Sequence, residues 1–334
     1  MPRAAWLGAV AANAPDWAEL FIGLPGDRST FLVLHRGPTH SIAGALVEII
    51  ALTLLVGLAA RWWVRRRGGV APPWSWLALC IGATVLSHLY MDWQGSYGLR
   101  PFLPWSGTWY YADWVAIVDP LFWLVPLVAL AWGTERHWIP LTAVCVLGAL
   151  MTYAVIGAQV VGVVAPWVLS VYLALSVVAV VGWVRYWFGP VARRRVAAFS
   201  LIVLAGYAAA QGIAAHFEKA AVRREAQARF GRAASWAVMP EVGRPFTWER
   251  VYASADTVAG DDWSLPRHLD APLIQRALQD TREGRAMAQF ARFLVAEVDS
   301  SKDSVTAYLR DARYARVGRA GWGVVSVRLA RGAP

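Results

Sequence analysis

Residues 35–67 read HRGPTHSIAGALVEIIALTLLVGLAARWWVRRR. A polar, turn-forming segment from His35 to Ser41 opens onto an apolar run, Ile42 to Ala60, whose single ionisable residue is Glu48. The run closes on Trp62, Trp63 and the arginines Arg61, Arg65, Arg66 and Arg67. A helix needs about 20 apolar residues to cross the hydrocarbon core of a bilayer, and this run comes near that length. Tryptophan favours the headgroup level, and short loops rich in Lys and Arg stay on the cytoplasmic side. The stretch therefore reads as one membrane span, with a polar mouth at its start and a basic collar at its end.

The pattern recurs along the chain. Of the 334 residues, 57% are hydrophobic and 16% charged, too apolar for an ordinary soluble protein of this length. Six spans are expected, at about 42–60, 74–92, 119–134, 138–157, 160–184 and 196–215. The third is short and the fifth long, so tilt or shifted ends are expected there. Trp74, Trp93, Trp114, Trp183 and Trp187 fall at span ends. The net charge of +10 raises nucleic-acid binding, but the basic residues collect at span ends or scatter through the last third, without a binding motif. No nucleic-acid partner is expected. Cys80 and Cys145 lie inside spans, as small apolar fillers and not as a disulfide or thiolate site.

Arginines mark alternate loops: Arg61 to Arg67, Arg136, then Arg185 with Arg193 to Arg195. Those loops are assigned to the cytoplasm. His40, His88, Asp92, Asp119 and His216 then share the outer side. Residues 4–12 form a short apolar stub that lacks the basic start and cleavage site of a signal peptide and delivers Asp16 to that side. After His216 the chain turns charged and alanine-rich over 217–240, a helical connector. Residues 241–334 alternate short β-like runs with turns, such as Arg250-Val251-Tyr252 and Val324-Val325-Ser326-Val327. The expected fold is an all-α polytopic membrane bundle, about six transmembrane helices plus an N-terminal helical stub. Its membrane-embedded domain covers 1–216, and a small β-rich C-terminal extramembrane domain covers 241–334, on the extracytoplasmic side of the plasma membrane.

Imidazoles and carboxylates are costly near hydrocarbon unless they bind or react with something. His88 and Asp92, one helical turn apart, share a face and suit zinc or a similar divalent ion. His35 and His40 can converge through the Gly37-Pro38 turn. Thr39 or Ser41 can cap the first span. Arg36 offers a fork for phosphate or carboxylate, or else touches lipid headgroups. Asp16 and Asp119 compete for further ligand positions, Asp113 is a supporting residue, and Asp27 is a loop residue. Glu48 is a proton relay or a neutral helix contact. His216 with Glu218 adds a ligand or forms a headgroup-level pair. The loop from Gly95 to Trp105 reads as a shaped loop or lid.

In combination these segments resemble a known family, the membrane-bound metal-dependent hydrolases of the YdjM type. The resemblance rests on Asn13-Ala14-Pro15-Asp16, the His35–Ser41 segment, Ser87-His88-Leu89-Tyr90-Met91-Asp92, the Tyr97–Trp105 loop and Ile117-Val118-Asp119-Pro120. It covers residues 8–135 closely and the later spans by character. Tyr308 to Tyr314 looks like the tail of longer members. Members usually carry a longer first helix with a Thr-His pair, where this chain has a stub. The family is similar to zinc phospholipase C and P1-type nucleases. The resemblance implies a divalent metal, zinc by preference, as one or more ions, with Asp16, His35, His40, His88, Asp92 and Asp119 as ligands. His216 and Glu48 are additional candidates. It implies a hydrolase, of phosphoesters by preference. From the residues themselves, metal-activated water is the expected nucleophile, Asp113 the expected base and Arg36 the holder of an anionic group, and a site at the outer membrane face favours a lipid-linked substrate. Membrane lipid and a small-molecule or lipid-linked substrate are the expected partners. The rival is a non-catalytic, metal-stabilised membrane scaffold or interaction protein.

Overall fold

The computed structural model describes residues 2–17, 28–133, 138–185, 187, 193–300 and 305–329. The readings of Asp27 and Arg136 as loop residues lie outside them. Helix α1 (Pro2–Ala12) precedes a short helical segment that carries Asp16, and α2 is Arg28–Leu34. The long apolar helices follow: α3 (Ile42–Arg67), α4 (Trp74–Gln94), α5 (Pro120–Gly133), α6 (Trp138–Val160), α7 (Pro166–Val184) and α8 (Arg193–Phe230).

Among the described residues, five of these are long and apolar enough to cross a membrane, so the expected count of about six is not confirmed. The exception is α5, which spans 14 residues, or roughly 21 Å at the rise of an α-helix. It carries Pro126 in its interior and falls short of the roughly 30 Å hydrocarbon thickness. Leu46, Val47, Ile50, Leu54, Leu55 and Leu58 all point outward from α3. So dense an exposed apolar face suits lipid and not water. The fifth expected span is also shortened. The chain leaves α6 through a loop with Gly162 at φ +80° and re-enters α7 at Pro166, a residue suited to the first helical turn. At the arginine-rich end of α3, Arg66 lies over the ring of Trp62 and Arg61 over that of Trp74.

The helical connector is not a separate element. Helix α8 runs unbroken for 38 residues, roughly 57 Å, so it leaves the bilayer without a joint. Its far end packs Val222 and Ala226 against Val238 and Tyr252 of the C-terminal domain. Residues 235–240, assigned to the connector by sequence, are already strand β1 (Ser235–Pro240).

The C-terminal domain holds two antiparallel sheets. The first has the order β1, β2 (Trp248–Ala253), β3 (Thr257–Ala259) and β4 (Ser264–Pro266). The second has the order β5 (Leu294–Ser300), β6 (Val305–Asp311) and β7 (Val324–Leu329). Between them lie two helices that the β-rich reading left out, α9 (Pro272–Asp280) and α10 (Arg282–Phe290). Their signals are present in the sequence. Pro272 starts α9, Thr281 caps α10 by accepting from the Gly284 amide, and Met287 and Phe290 recur on one buried face.

The domain does not hang from α8 alone. Leu32 of α2 is fully buried in its core with Ile274, Met287, Phe290 and Leu309. Loop residues Tyr97 and Trp109 pack on the same cluster. The membrane half and the C-terminal domain therefore share one apolar core. Leu32→Ala should cost about 2–4 kcal/mol. It should also raise the susceptibility of 235–329 to limited proteolysis in detergent while the apolar helices stay protected. A proteolytic pattern equal to that of the parent would show that α2 does not hold the domain in place.

Candidate metal centre

Four side chains from three stretches of chain meet at one end of the bundle. His40 ends a tight 3-10 turn, Pro38–His40, laid against the first turn of α3. Ser41 caps α3, accepting from the Gly44 amide at 3.0 Å and donating to the Pro38 carbonyl at 2.7 Å. Gly44 is needed for this packing, because a Cβ there would lie 1.9 Å from the Pro38 carbonyl oxygen. The result is a His40 side chain with no solvent exposure. His88 and Asp92 come from successive turns of α4. Asp16 is delivered by the N-terminal segment, whose Ala11 and Ala14 pack into the core of α3 and α4.

The donor atoms converge closely. His40 Nε2 lies 3.2 Å from Asp16 Oδ1, 3.3 Å from Asp92 Oδ2 and 3.3 Å from His88 Nε2. His88 Nε2 lies 3.5 Å from Asp16 Oδ1 and 3.6 Å from Asp92 Oδ2. Tetrahedral ligands held about 2.0–2.1 Å from a zinc ion are about 3.3 Å apart. The separations of 3.2–3.6 Å match that spacing. Donor atoms of Asp16, His40 and His88 lie within 4.8 Å of one another, and Asp92 approaches the same two imidazoles from a second side. Carboxylates around two imidazole nitrogens need positive charge between them, as protons or as a metal ion. The nitrogen and oxygen donor set suits a divalent ion of the zinc type.

Surrounding groups fix these donors. Arg36 Nη2 holds the other oxygen of Asp92 at 2.9 Å, and Nη1 donates to the Asp92 carbonyl at 3.1 Å. Its guanidinium also lies 4.9 Å from the centre of the Tyr97 ring. The Thr39 hydroxyl is 3.1 Å from His40 Nδ1, which fixes the ring so that Nε2 faces the cluster. Hydrogen bonds first from His40 and then from His88 hold the Asp16 carboxyl well below the usual range, so it is a carboxylate at neutral pH.

The structure brings together four of the six expected ligands and sends the other candidates elsewhere. The His35 ring stacks on Phe31 with centroids 4.7 Å apart and meets Tyr97 edge-on, outside the cluster. The turn through Gly37-Pro38 separates the two histidines instead of converging them. Asp119 caps α5: Oδ1 accepts from the Leu121 and Phe122 amides, and Oδ2 from the Tyr207 hydroxyl at 2.7 Å and from Gln211. Asp113 is buried and paired with Arg292 Nη1 at 3.0 and 3.1 Å, which ties the loop before α5 to the C-terminal domain. That pairing does not suit a base beside the cluster. Arg36 grips Asp92, not a free anion. Glu48 has a buried Oε2 without a hydrogen-bond partner, and His216 is exposed on α8 beside Phe217.

A cavity of about 1340 Å³ opens beside the cluster, with Asp16, Arg36 and Asp92 in one wall. Arg313, Tyr314 and Trp322 of the C-terminal domain line it from the other side. Arg313 is buried, paired with Asp311 at 2.7 Å, and reaches across to the Ser96 carbonyl at 2.6 Å. Tyr314 lines the cavity as a neutral phenol, as any tyrosine is at neutral pH, and its ring stacks on Phe290. These wall residues were not found from sequence as site residues, although Arg313 and Tyr314 fall in the tail segment already noted. The Gly95–Trp105 loop packs against this domain through Tyr97 and Ser96, so it is held as a wall.

Gly44→Ala should push the Pro38–His40 turn off α3 and displace His40, so that any divalent ion added to the protein binds the cluster about 10-fold or more weakly than in the parent. Competition titration with a chromogenic chelator measures it, and unchanged affinity would mean that the turn does not set His40.

Residues 2–218 match the profile of the YdjM inner membrane protein family. No curated protein and no solved structure matches the chain.

Proposed function

The chain belongs to the YdjM inner membrane protein family, and on that premise we propose that it is a membrane-bound metal-dependent hydrolase of phosphoester bonds. The observation that carries this reading is the clustering of Asp16, His40, His88 and Asp92 at a cavity wall. A divalent ion held by these donors, zinc by preference, would supply Lewis acidity to the scissile group and a more acidic attacking water. The rest falls to the protein. Asp92 is oriented by Arg36 and His40 by Thr39. Asp16 is the most exposed of the four, with 46% of its side chain accessible, so it is the ligand most open to cavity water. Water adds its oxygen to phosphorus, the P–O ester bond breaks, and the leaving oxygen takes up a proton, with no redox partner needed.

The arginine-rich loop after α3 lies at the opposite end of that helix from His40. With those arginines in the cytoplasm, the site and the C-terminal domain face the extracytoplasmic side.

One observation favours a second reading. Asp16, His40 and His88 form a three-donor group, and a shift of Asp92 toward it would add a fourth ligand and close a tetrahedral ion, as in structural sites, whereas catalytic sites keep a position open. The protein would then be a metal-stabilised scaffold. Cobalt substitution separates the two readings. A visible spectrum that shifts when an inhibitory anion is added supports catalysis, and one that stays fixed supports closure.

Metal analysis of the full chain in detergent should give about one ion or more per chain. His88→Ala and Asp92→Ala should lose it. Arg36→Ala should keep the fold and lose about 10–100-fold in metal affinity or in hydrolysis. A parent protein free of metal, or ligand variants that retain full occupancy, would overturn the assignment.

A further inference from the structure

The cavity does not end at the metal centre. Its walls continue along Met91 near the end of α4, Ile117 before α5, Val163 between α6 and α7, and Val242 in the β1–β2 hairpin. All four are apolar and exposed: Met91 by 42%, Ile117 by 73%, Val163 by 39% and Val242 by 39%. They come from the ends of membrane helices and from the domain that covers them, so they form an apolar rim at the level where the bundle leaves the bilayer. The rim is continuous with further outward apolar residues, Val160 and Val161, each more than 70% exposed.

The hairpin is built into this place. Gly243 donates to the Val118 carbonyl at 3.0 Å and accepts from the Ala165 amide at 3.2 Å. Gly243 has φ +67°, and a Cβ there would lie 2.7 Å from Val164, so only glycine lets the tip sit this close. The Phe246 amide donates to Gln211 of α8 at 2.8 Å. The same hairpin lends Arg244 to the cavity wall, where its guanidinium is half-exposed beside Glu241. One cavity thus has a polar end lined by Asp16, Arg36 and Asp92 and an apolar end lined by Met91, Ile117, Val163 and Val242.

We propose that the cavity takes its substrate sideways from the bilayer. The substrate is an amphiphile with an anionic phosphoester headgroup at the Asp16–His40–His88–Asp92 cluster and an acyl chain along Ile117, Val163 and Val242. The rim sets chain-length preference, and the pinned β1–β2 hairpin forms one side of it. A soluble phosphoester of the same headgroup chemistry reaches the cluster but gains nothing from the rim. The inference rests on the hydrolase reading for the fate of the headgroup, and on the rim alone for binding of the chain.

Two arms test it on the full chain in detergent. The first compares hydrolysis of a short-chain, water-soluble phosphodiester with a long-chain one of the same headgroup in mixed micelles. Ile117→Asp and Val242→Asp should raise KM for the long-chain substrate about tenfold or more, the scale of burying several CH₂ groups, and leave the short-chain substrate within about twofold. The second arm uses a non-hydrolysable long-chain phosphonate with a photoreactive diazirine on its chain. Labelling should fall on peptides holding Ile117, Val163 or Val242 and be displaced by long-chain but not short-chain phosphonate. Labelling confined to the outer faces of the membrane helices, or rim variants that alter both substrates equally, would overturn the inference while leaving the hydrolase reading intact. Rim labelling by a protein that hydrolyses neither substrate would keep the inference and remove the hydrolase reading.

Discussion

Two imidazoles, His40 and His88, are each flanked by the carboxylates of Asp16 and Asp92 at the end of a membrane bundle, and the arrangement around them follows from the need to compensate that charge. Carboxylates pressed together in a half-dry site repel unless a cation lies between them. The chain supplies Arg36 on the outer oxygen of Asp92 and leaves the inner oxygens to whatever the two Nε2 atoms share. The Pro38–His40 turn, the Ser41 cap and the bare Cα of Gly44 all serve to set one of those nitrogens within an apolar wall.

A second set of ion pairs joins the two halves of the molecule. Arg292 crosses to Asp113, and Arg313 binds Asp311 while reaching Ser96 in the α4–α5 loop. These charges are buried, so each is costly unless paired. Their pairing fixes the C-terminal domain over the cluster, and Leu32 anchors it through apolar contact. Asp113, which sequence suggested as a base, thus has a structural use in the closure of the site.

Much of this was legible in the chain. The apolar runs and arginine collars gave the helices, since hydropathy and charge act locally and survive without knowledge of packing. His88 and Asp92 were legible because a spacing of four on a helix fixes their common face. The departures from the expected placement share a cause. His35 looked equivalent to His40, but Phe31 and Tyr97 offered its ring a stacking site, and Arg36 at φ +48° turned the chain between them. Asp119 looked like a ligand, but amides two and three residues on and the distant Tyr207 filled its oxygens. The connector and the sixth span merged because nothing in 216–230 breaks a helix, while α9 and α10 were overlooked among short β-like runs.

By itself the sequence determined that this is a helical membrane protein with imidazole and carboxylate groups at span ends, because bilayer thickness, headgroup preference and helix periodicity constrain each segment alone. Only the tertiary structure decided which of those groups meet. Asp16, His40, His88 and Asp92 lie up to 76 residues apart in the chain, and their separations of 3.2–3.6 Å are set by how α1, the Pro38–His40 turn and α4 pack. The cavity beside them likewise depends on a domain folded from the last third of the chain, whose place over the bundle is fixed by buried ion pairs that no local pattern encodes.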